Sequence, residues 1–331
     1  MTRKPPALAR AGLVAAGVVL VQALLVLWFA WPAQKAAPRH LPVVVAGPAP
    51  AAAAIADRLR AERPGAFDIS TAPDGAAADA ALRDRAAYAA FVVAPGGISL
   101  HVASAAGPAV SALLTQAVQQ LGGGRPVPVV DVVPAPADDP RGAGFAAGFL
   151  PLLMTSVAAG IALLFAVRAH VVRLVGLVAF AVAAGLVAVG VLHRLGVLTG
   201  AYLAEAGVVA LIALAVAAAV AGLGAVLGRP GIGLGVLVVF LVGNPISGLA
   251  SAPEMLPRPW GAVGQALPPG AGATLLRSVA FFDGAAAARP LWTLLGWVAV
   301  GLALTAVGHF RDHRATATES APSHAPVGIA A

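Results

Sequence analysis

Cysteine is absent from this 331-residue chain, and charged residues make up only 11% of it. The lack of cysteine excludes disulfides, thiolate metal sites and thiol nucleophiles. Soluble domains carry about a quarter charged residues. With so few charges and a mean hydropathy of +0.89, the chain has too little polar surface to cover a water-soluble particle. Its apolar residues fall in long uncharged runs, which indicates a membrane protein embedded in a lipid bilayer.

Several kinds of functional site are also missing. Lysine occurs only at Lys4 and Lys35, and neither follows a glycine, so the chain has no P-loop of the form Gly-x-x-x-x-Gly-Lys-Ser/Thr. Acidic residues are missing from positions 142–204, which disfavours a proton relay inside the membrane. No Gly-x-Ser-x-Gly and no histidine cluster with metal-ligand spacing occurs. The sequence therefore predicts no enzyme activity, no metal and no other cofactor on this chain.

The net charge is +7, and the basic residues lie beside the apolar runs. This distribution favours membrane orientation over nucleic-acid binding, so we predict no nucleic-acid partner. The short loop near His193–Glu205 carries only Arg194, which places it outside. By the positive-inside rule, both termini are predicted to be cytoplasmic. The basic residues assigned to the cytoplasm are Arg3, Lys4, Arg10, Arg168, Arg173, Arg229, Arg311 and Arg314.

The composition divides the chain into four parts. Residues 1–34 are predicted to hold a cytoplasmic segment and an uncleaved first transmembrane helix. Residues 35–141 contain about half of the charged residues, and their periodicity follows the order βαβαββαβ, which predicts a small α/β domain. Residues 142–310 are predicted to form five further transmembrane helices. Residues 311–331 are predicted to be a disordered cytoplasmic tail.

The predicted fold class is an α-helical polytopic membrane protein with about six transmembrane helices. The α/β domain is extracytoplasmic and lies between helices one and two. An external broken loop, residues 253–289, precedes the last helix, and its prolines interrupt any spanning helix. The five apolar runs after the α/β domain are Gly142–Val167, Leu174–Leu192, Ala206–Gly228, Gly231–Ala252 and Leu291–Gly308.

A series of prolines and small residues marks the outer end of the fifth helix and the broken loop. Carbonyls freed by proline survive in lipid only inside protein or beside a wet cavity, so this series predicts an outer gate. An ordinary extracellular loop with an amphipathic helix is the alternative. The candidate gate residues are Pro245, Ser247, Gly248, Pro253, Pro257, Pro268 and Arg277.

Together with Leu256 and Leu267, these residues form the series Pro-x-Ser-Gly, Pro, Leu-Pro, Leu-Pro, Arg. This series resembles the one found at the same place in permease subunits of type 2 ABC exporters. Within that family, the phage infection protein-like branch is the most similar. The layout of one helix, an external domain and five more helices is also similar to that family. The resemblance implies a homodimer or heterodimer of permeases in the bacterial inner membrane, moving a substrate outward. It also implies a separate P-loop ATPase subunit as partner.

One feature departs from that family. Such permeases couple to the ATPase through a cytoplasmic helix between the second and third spans, and here that segment is short and basic. It is either a minimal coupling element or a cluster that only sets topology. The candidate coupling residues are Arg168, His170 and Arg173. A second hypothesis is therefore a non-transporting membrane scaffold or receptor, whose external domain binds a cell-envelope or secretion partner.

Overall fold

The computed structural model describes residues 7–121 and 126–319, which are mostly helical and include one small sheet. The helices are α1 (Ala7–Gln34), α2 (Ala49–Glu62), α3 (Gly75–Arg83), α4 (Pro108–Leu121), α5 (Ala143–Ala166), α6 (His170–Arg194), α7 (Tyr202–Leu227), α8 (Arg229–Val236), α9 (Trp260–Gln265), α10 (Pro268–Phe281) and α11 (Ala288–Glu319). The strands are β1 (Leu41–Ala46), β2 (Phe67–Ala72), β3 (Ala89–Ala94), β4 (Gly97–Val102) and β5 (Val129–Asp131).

Within the described ranges, five helices are long and apolar enough to cross a membrane. They are α1, α5, α6, α7 and the part of α11 from Ala288 to Arg311. A hydrocarbon core needs about 20 apolar residues in a helix, because only a helix satisfies every backbone polar group without water. These helices indicate a membrane-embedded protein.

The predicted fifth span, Gly231–Ala252, is not one long helix. It begins within α8, continues as a π-helical segment at Leu237–Val242 and then turns. The helical part, Arg229–Val242, extends about 20 Å at 1.5 Å per residue, which is less than a hydrocarbon core. Pro245 contributes to this ending, because proline lacks an N–H and disfavours helical backbone at the residue before it.

The C-terminal end also differs from the prediction. The last helix continues to Glu319, which includes residues 311–319 of the segment predicted to be a disordered tail. The segment from Arg311 to Glu319 contains neither proline nor glycine, and nothing in its sequence stops a helix. The rest of the predicted tail, residues 320–331, and the first six residues of the predicted cytoplasmic segment lie outside the described residues.

The small sheet has the strand order β2-β1-β3-β4-β5. The first strand runs parallel to both of its neighbours, β4 is antiparallel to β3, and β5 is parallel to β4. The predicted element order βαβαββαβ is confirmed. We refer to residues 41–131 as the sheet domain.

Alternation along the strands gives the sheet domain two cores. Val43 and Val45 of β1 face α2 and α4, whereas Val44 and Ala46 face α3. Because helices cover both faces, β1 is a continuous apolar run with no polar alternation.

Helices α5, α6 and α11 pack around α7, whose apolar window is 72% buried. Small residues allow the backbones to approach closely. A Cβ added at Gly160 of α5 would lie 2.5 Å from the Ala217 carbonyl oxygen, and one at Gly185 of α6 would lie 2.3 Å from that of Ala206. By contrast, the apolar window of α1 is not buried by the rest of the described chain.

Candidate functional site

The broken loop folds into short helical pieces whose starts are set by proline. Pro253 opens a 3₁₀ turn, Pro253–Met255, and Pro268 occupies the first turn of α10. Proline is well suited to a first helical turn, where its missing N–H has no intrahelical partner to lose. The predicted gate residues Pro253 and Pro268 therefore act locally as helix starts.

Glycines let these pieces pack directly on backbone. A Cβ added at Gly264 would lie 1.8 Å from the Ile246 carbonyl oxygen, and one at Gly261 would lie 2.1 Å from that of Pro253. At Gly248 the φ angle is +71°, a backbone conformation that glycine adopts without strain. Of these three glycines, only Gly248 belonged to the series read from the sequence.

The structure brings most of the predicted gate residues into one compact arrangement. The turn that contains Pro245 and Ser247 precedes the broken loop, and the Ser247 carbonyl accepts a 3.0 Å hydrogen bond from Gln265 Nε2. Arg277 Nη2 donates to the Leu249 carbonyl in the same turn at 2.5 Å. Pro257 lies just before α9, where its carbonyl accepts from the Trp260 N–H at 2.9 Å.

The broken loop is also part of both cores of the sheet domain. Met255 is 4% exposed and packs in the core beneath α2 and α4, and Phe282 is 5% exposed in the core beneath α3. The segment just before β1 adds to this attachment, because the Ala37 N–H donates to the Met255 carbonyl at 3.0 Å and the Arg39 N–H to that of Glu254 at 2.9 Å. The broken loop is therefore anchored to the sheet domain.

A cavity of about 700 Å³ lies between the sheet domain and the broken loop. Its polar lining includes side chains from both parts and from the start of α11. Its apolar lining includes Pro42, Leu256 and Pro290. The polar residues important here are Arg39, Arg85, Tyr88, Glu254, Arg277 and Arg289.

Arg85 enters the cavity because of the way α3 ends. The Ala86 N–H donates back to the Ala81 carbonyl at 2.9 Å, and Arg85 has φ +58°. This left-handed helix end usually carries glycine. With arginine in that position, the side chain reaches α10, where it donates to the Thr274 carbonyl at 2.9 Å and to the Ser278 hydroxyl.

Burial changes the ionisation of three groups around the cavity. It lowers the pKa of the Arg85 guanidinium, and it lowers that of Arg277 to about 10, with a smaller contribution from the nearby charge of Arg85. It raises the pKa of the Tyr88 hydroxyl, which donates to Glu254 Oε2 at 2.9 Å. Tyr88 therefore remains a neutral donor at physiological pH.

The predicted coupling residues lie in a very short link and in the first turn of the helix that follows it. Helices α5 and α6 are separated only by residues 167–169, and Arg168 there is exposed. Arg173 is engaged at the end of α5, where it donates to the Val167 carbonyl at 2.8 Å. His170 stacks on His309 of α11 at a ring separation of 5.0 Å. Of the three candidates, Arg168 is the one whose side chain is exposed.

Sequence reasoning missed one polar row in the sheet domain. His101 of β4 lies 2.6 Å from Asp79 of α3 through Nδ1 and 3.2 Å from Ser99 through Nε2. The signal was a Ser-x-His pair on a strand, which puts both side chains on one face. Acyl transfer also needs oxyanion donors and a substrate cavity, and neither Ser99 nor His101 lines the cavity described above. The row attaches α3 to β4.

Comparison of the chain with protein-family models, with characterised proteins and with solved structures finds no match.

Proposed function

We propose that the chain is the permease subunit of a type 2 ABC-class exporter in a bacterial inner membrane, driven by a separate P-loop ATPase. The broken loop carries this proposal. Its prolines begin short helices, its glycines pack on backbone, and Arg277 ties it to the turn after the π-helical segment. Pro253, Pro268 and Arg277 are among the positions at which the sequence resembles such permeases, and a compact broken loop of this kind suits an outer gate.

A six-span topology is compatible with the short α8. In this proposal, α8, the π-helical segment and the turn at residues 243–252 together make the remaining crossing. Non-helical backbone is tolerated at membrane depth only when protein buries it. Ile246, Ser247 and Ala252 are each no more than 2% exposed, which meets that requirement. Six crossings return the chain to the cytoplasm and leave the sheet domain outside.

The proposed partners follow from surfaces that the chain does not cover itself. The apolar window of α1 is open to lipid or to a second permease copy, as a homodimer or heterodimer requires. On the proposed cytoplasmic side of the membrane, Arg168 is the exposed charge in the α5–α6 link. We assign Arg168 to the contact with the ATPase.

The second candidate function is the scaffold or receptor. The specific observation that favours it is the same link, because three residues, 167–169, leave no room for a coupling helix. In that case the sheet domain would bind an envelope or secretion partner, and no ATPase would associate with the chain.

Affinity purification of the tagged protein from its native membrane in mild detergent, followed by mass spectrometry, tests the proposal. We expect recovery of a P-loop ATPase in proportion to the chain. Arg168→Ala should reduce that recovery several-fold, because it removes the exposed charge of the link. Arg194→Ala is the matched control, since Arg194 is exposed at the other end of α6.

Recovery of envelope or secretion proteins without an ATPase would contradict the exporter proposal and favour the receptor. Recovery of the chain alone from functional membranes would also contradict it. Equal loss of ATPase recovery in Arg168→Ala and Arg194→Ala would contradict the coupling role assigned to Arg168. Removal of any exposed positive charge would then explain the loss.

A further inference from the structure

The cavity between the sheet domain and the broken loop has a strong excess of positive charge. Among its described lining residues, Glu254 is the one carboxylate, and it already accepts a hydrogen bond from the Tyr88 hydroxyl. A cleft with low-dielectric walls concentrates the field of like charges, so this space attracts anions. The cationic lining residues are Arg39, Arg85, Arg258, Arg277 and Arg289.

Arg277 is the most buried of these charges, with 6% of its surface exposed. One nitrogen donates to the Leu249 carbonyl, and the guanidinium carbon lies 4.6 Å from the centre of the Phe145 ring. None of the ion pairs formed by the described residues includes Arg277. A buried guanidinium without an anionic partner is unfavourable, and its further N–H groups are available to a ligand.

Arg85 adds a second charge from the sheet domain. Its guanidinium lies 5.2 Å from the centre of the Phe282 ring and is bonded only to neutral groups of α10 among its described partners. The charges of Arg85 and Arg277 are close enough to repel each other. An anion held between two parts of the chain would offset that repulsion and stabilise their contact.

The rim extends the positive surface outward. Arg258 and Arg289 are exposed at the mouth, where they add charge without filling the interior. Arg39 contributes charge as well, although its nitrogens donate to the Met255 carbonyl at 2.7 Å and the Lys35 carbonyl at 2.8 Å. The cavity therefore combines buried donors with an attractive entrance.

We propose that this cavity binds a ligand bearing a phosphate group, with the phosphate held by Arg277 and Arg85 and attracted through Arg258 and Arg289. Several arginines suit a phosphate, whose oxygens accept charge-assisted bonds from more than one guanidinium. The volume of about 700 Å³ exceeds that of a phosphate ion, and Pro42, Leu256 and Pro290 offer apolar contact to the rest of the molecule. A phospholipid headgroup and a soluble phosphate ester share this chemistry.

This inference goes beyond the proposed function and does not depend on transport. A permease and a receptor would each present the same cavity, and binding is measurable without an ATPase. Failure to recover an ATPase would therefore leave the phosphate site standing, and failure to bind phosphate would leave the exporter proposal standing.

The experiment uses the full chain purified in a nonionic detergent. Binding of inorganic phosphate and of dioctanoyl phosphatidylglycerol is measured by isothermal titration calorimetry, with acetate as the carboxylate probe. We expect saturable binding of at least one phosphate probe and about tenfold weaker binding in Arg277→Gln, because a charge-assisted bond to the ligand is lost. Arg258→Gln, at the exposed rim, should weaken binding several-fold and tests the site if Arg277→Gln fails to fold.

Arg83→Gln is the matched control, because Arg83 is exposed at the end of α3, two residues from Arg85, and does not line the cavity. It should bind as the unaltered protein does. Binding of the lipid alone would assign the site to a headgroup, whereas binding of inorganic phosphate would assign it to a soluble phosphate; both support the proposal. It is overturned if neither probe binds, if acetate binds equally well, or if Arg83→Gln loses as much affinity as the cavity variants.

Discussion

At the scale of single residues, prolines begin the short helices of the broken loop, and glycines let those helices pack against backbone. The effect of a proline can be predicted from the sequence alone, because proline lacks a backbone N–H donor and fixes φ in any context. Close packing at a glycine depends on which backbone lies opposite. Gly261 and Gly264 face the carbonyl oxygens of Pro253 and Ile246, and no helix or strand periodicity predicts these contacts.

The most sensitive of these positions is Gly264. A methyl group there would lie 1.8 Å from the Ile246 carbonyl oxygen and 2.7 Å from its carbon, so the backbone must move. We expect Gly264→Ala to destabilise the protein by about 1–3 kcal/mol, the usual cost of overpacking, and to lower the melting temperature in detergent. Gly296→Ala is the control, because no atom lies within 4 Å of a Cβ added at Gly296. Equal melting temperatures for Gly264→Ala and the unaltered protein would contradict this packing.

At the scale of elements, the strands and most helices could be predicted from periodicity, because their patterns are local. The helix α8 was predicted to be longer than it is, since the apolar run Gly231–Ala252 reads as a span by composition. The composition of an apolar run does not predict where the backbone turns when that turn is buried inside the protein. The attachment of Met255 and Phe282 to the sheet domain was unpredictable for the same reason, because it joins elements far apart in the chain.

The contact between the sheet domain and the broken loop is testable by cross-linking. A Cβ added at Gly107 would lie 3.2 Å from the Ser251 carbonyl oxygen. The chain has no cysteine, so the double variant Gly107→Cys, Ser251→Cys introduces the only thiols. We expect a short bismaleimide to join the pair in detergent, with the linked peptides identified by mass spectrometry. Ser70→Cys with Ser251→Cys is the control, and equal linkage of both pairs would contradict a fixed contact.

At the scale of the whole molecule, the structure joins two parts that the sequence presented as separate domains. Residues 35–141 and the broken loop share two cores, backbone hydrogen bonds and the cationic cavity. In the proposed permease, a change in the sheet domain would reach the outer gate through Met255, Phe282 and Arg85. Among the five long helices, α5, α6 and α11 pack around α7 and provide the membrane-embedded base.

The proposed permease requires this joined unit to face outward, because an outer gate must lie outside the cytoplasm. Labelling of single cysteines in intact cells with a membrane-impermeant maleimide tests it directly, on exposed positions of a cysteine-free chain. We predict that Asp57→Cys in the sheet domain and Ala262→Cys in the broken loop are labelled in intact cells, and that Arg168→Cys is labelled only after permeabilisation. Labelling of Arg168→Cys in intact cells, with the other two protected, would contradict the proposed orientation and the outer gate with it.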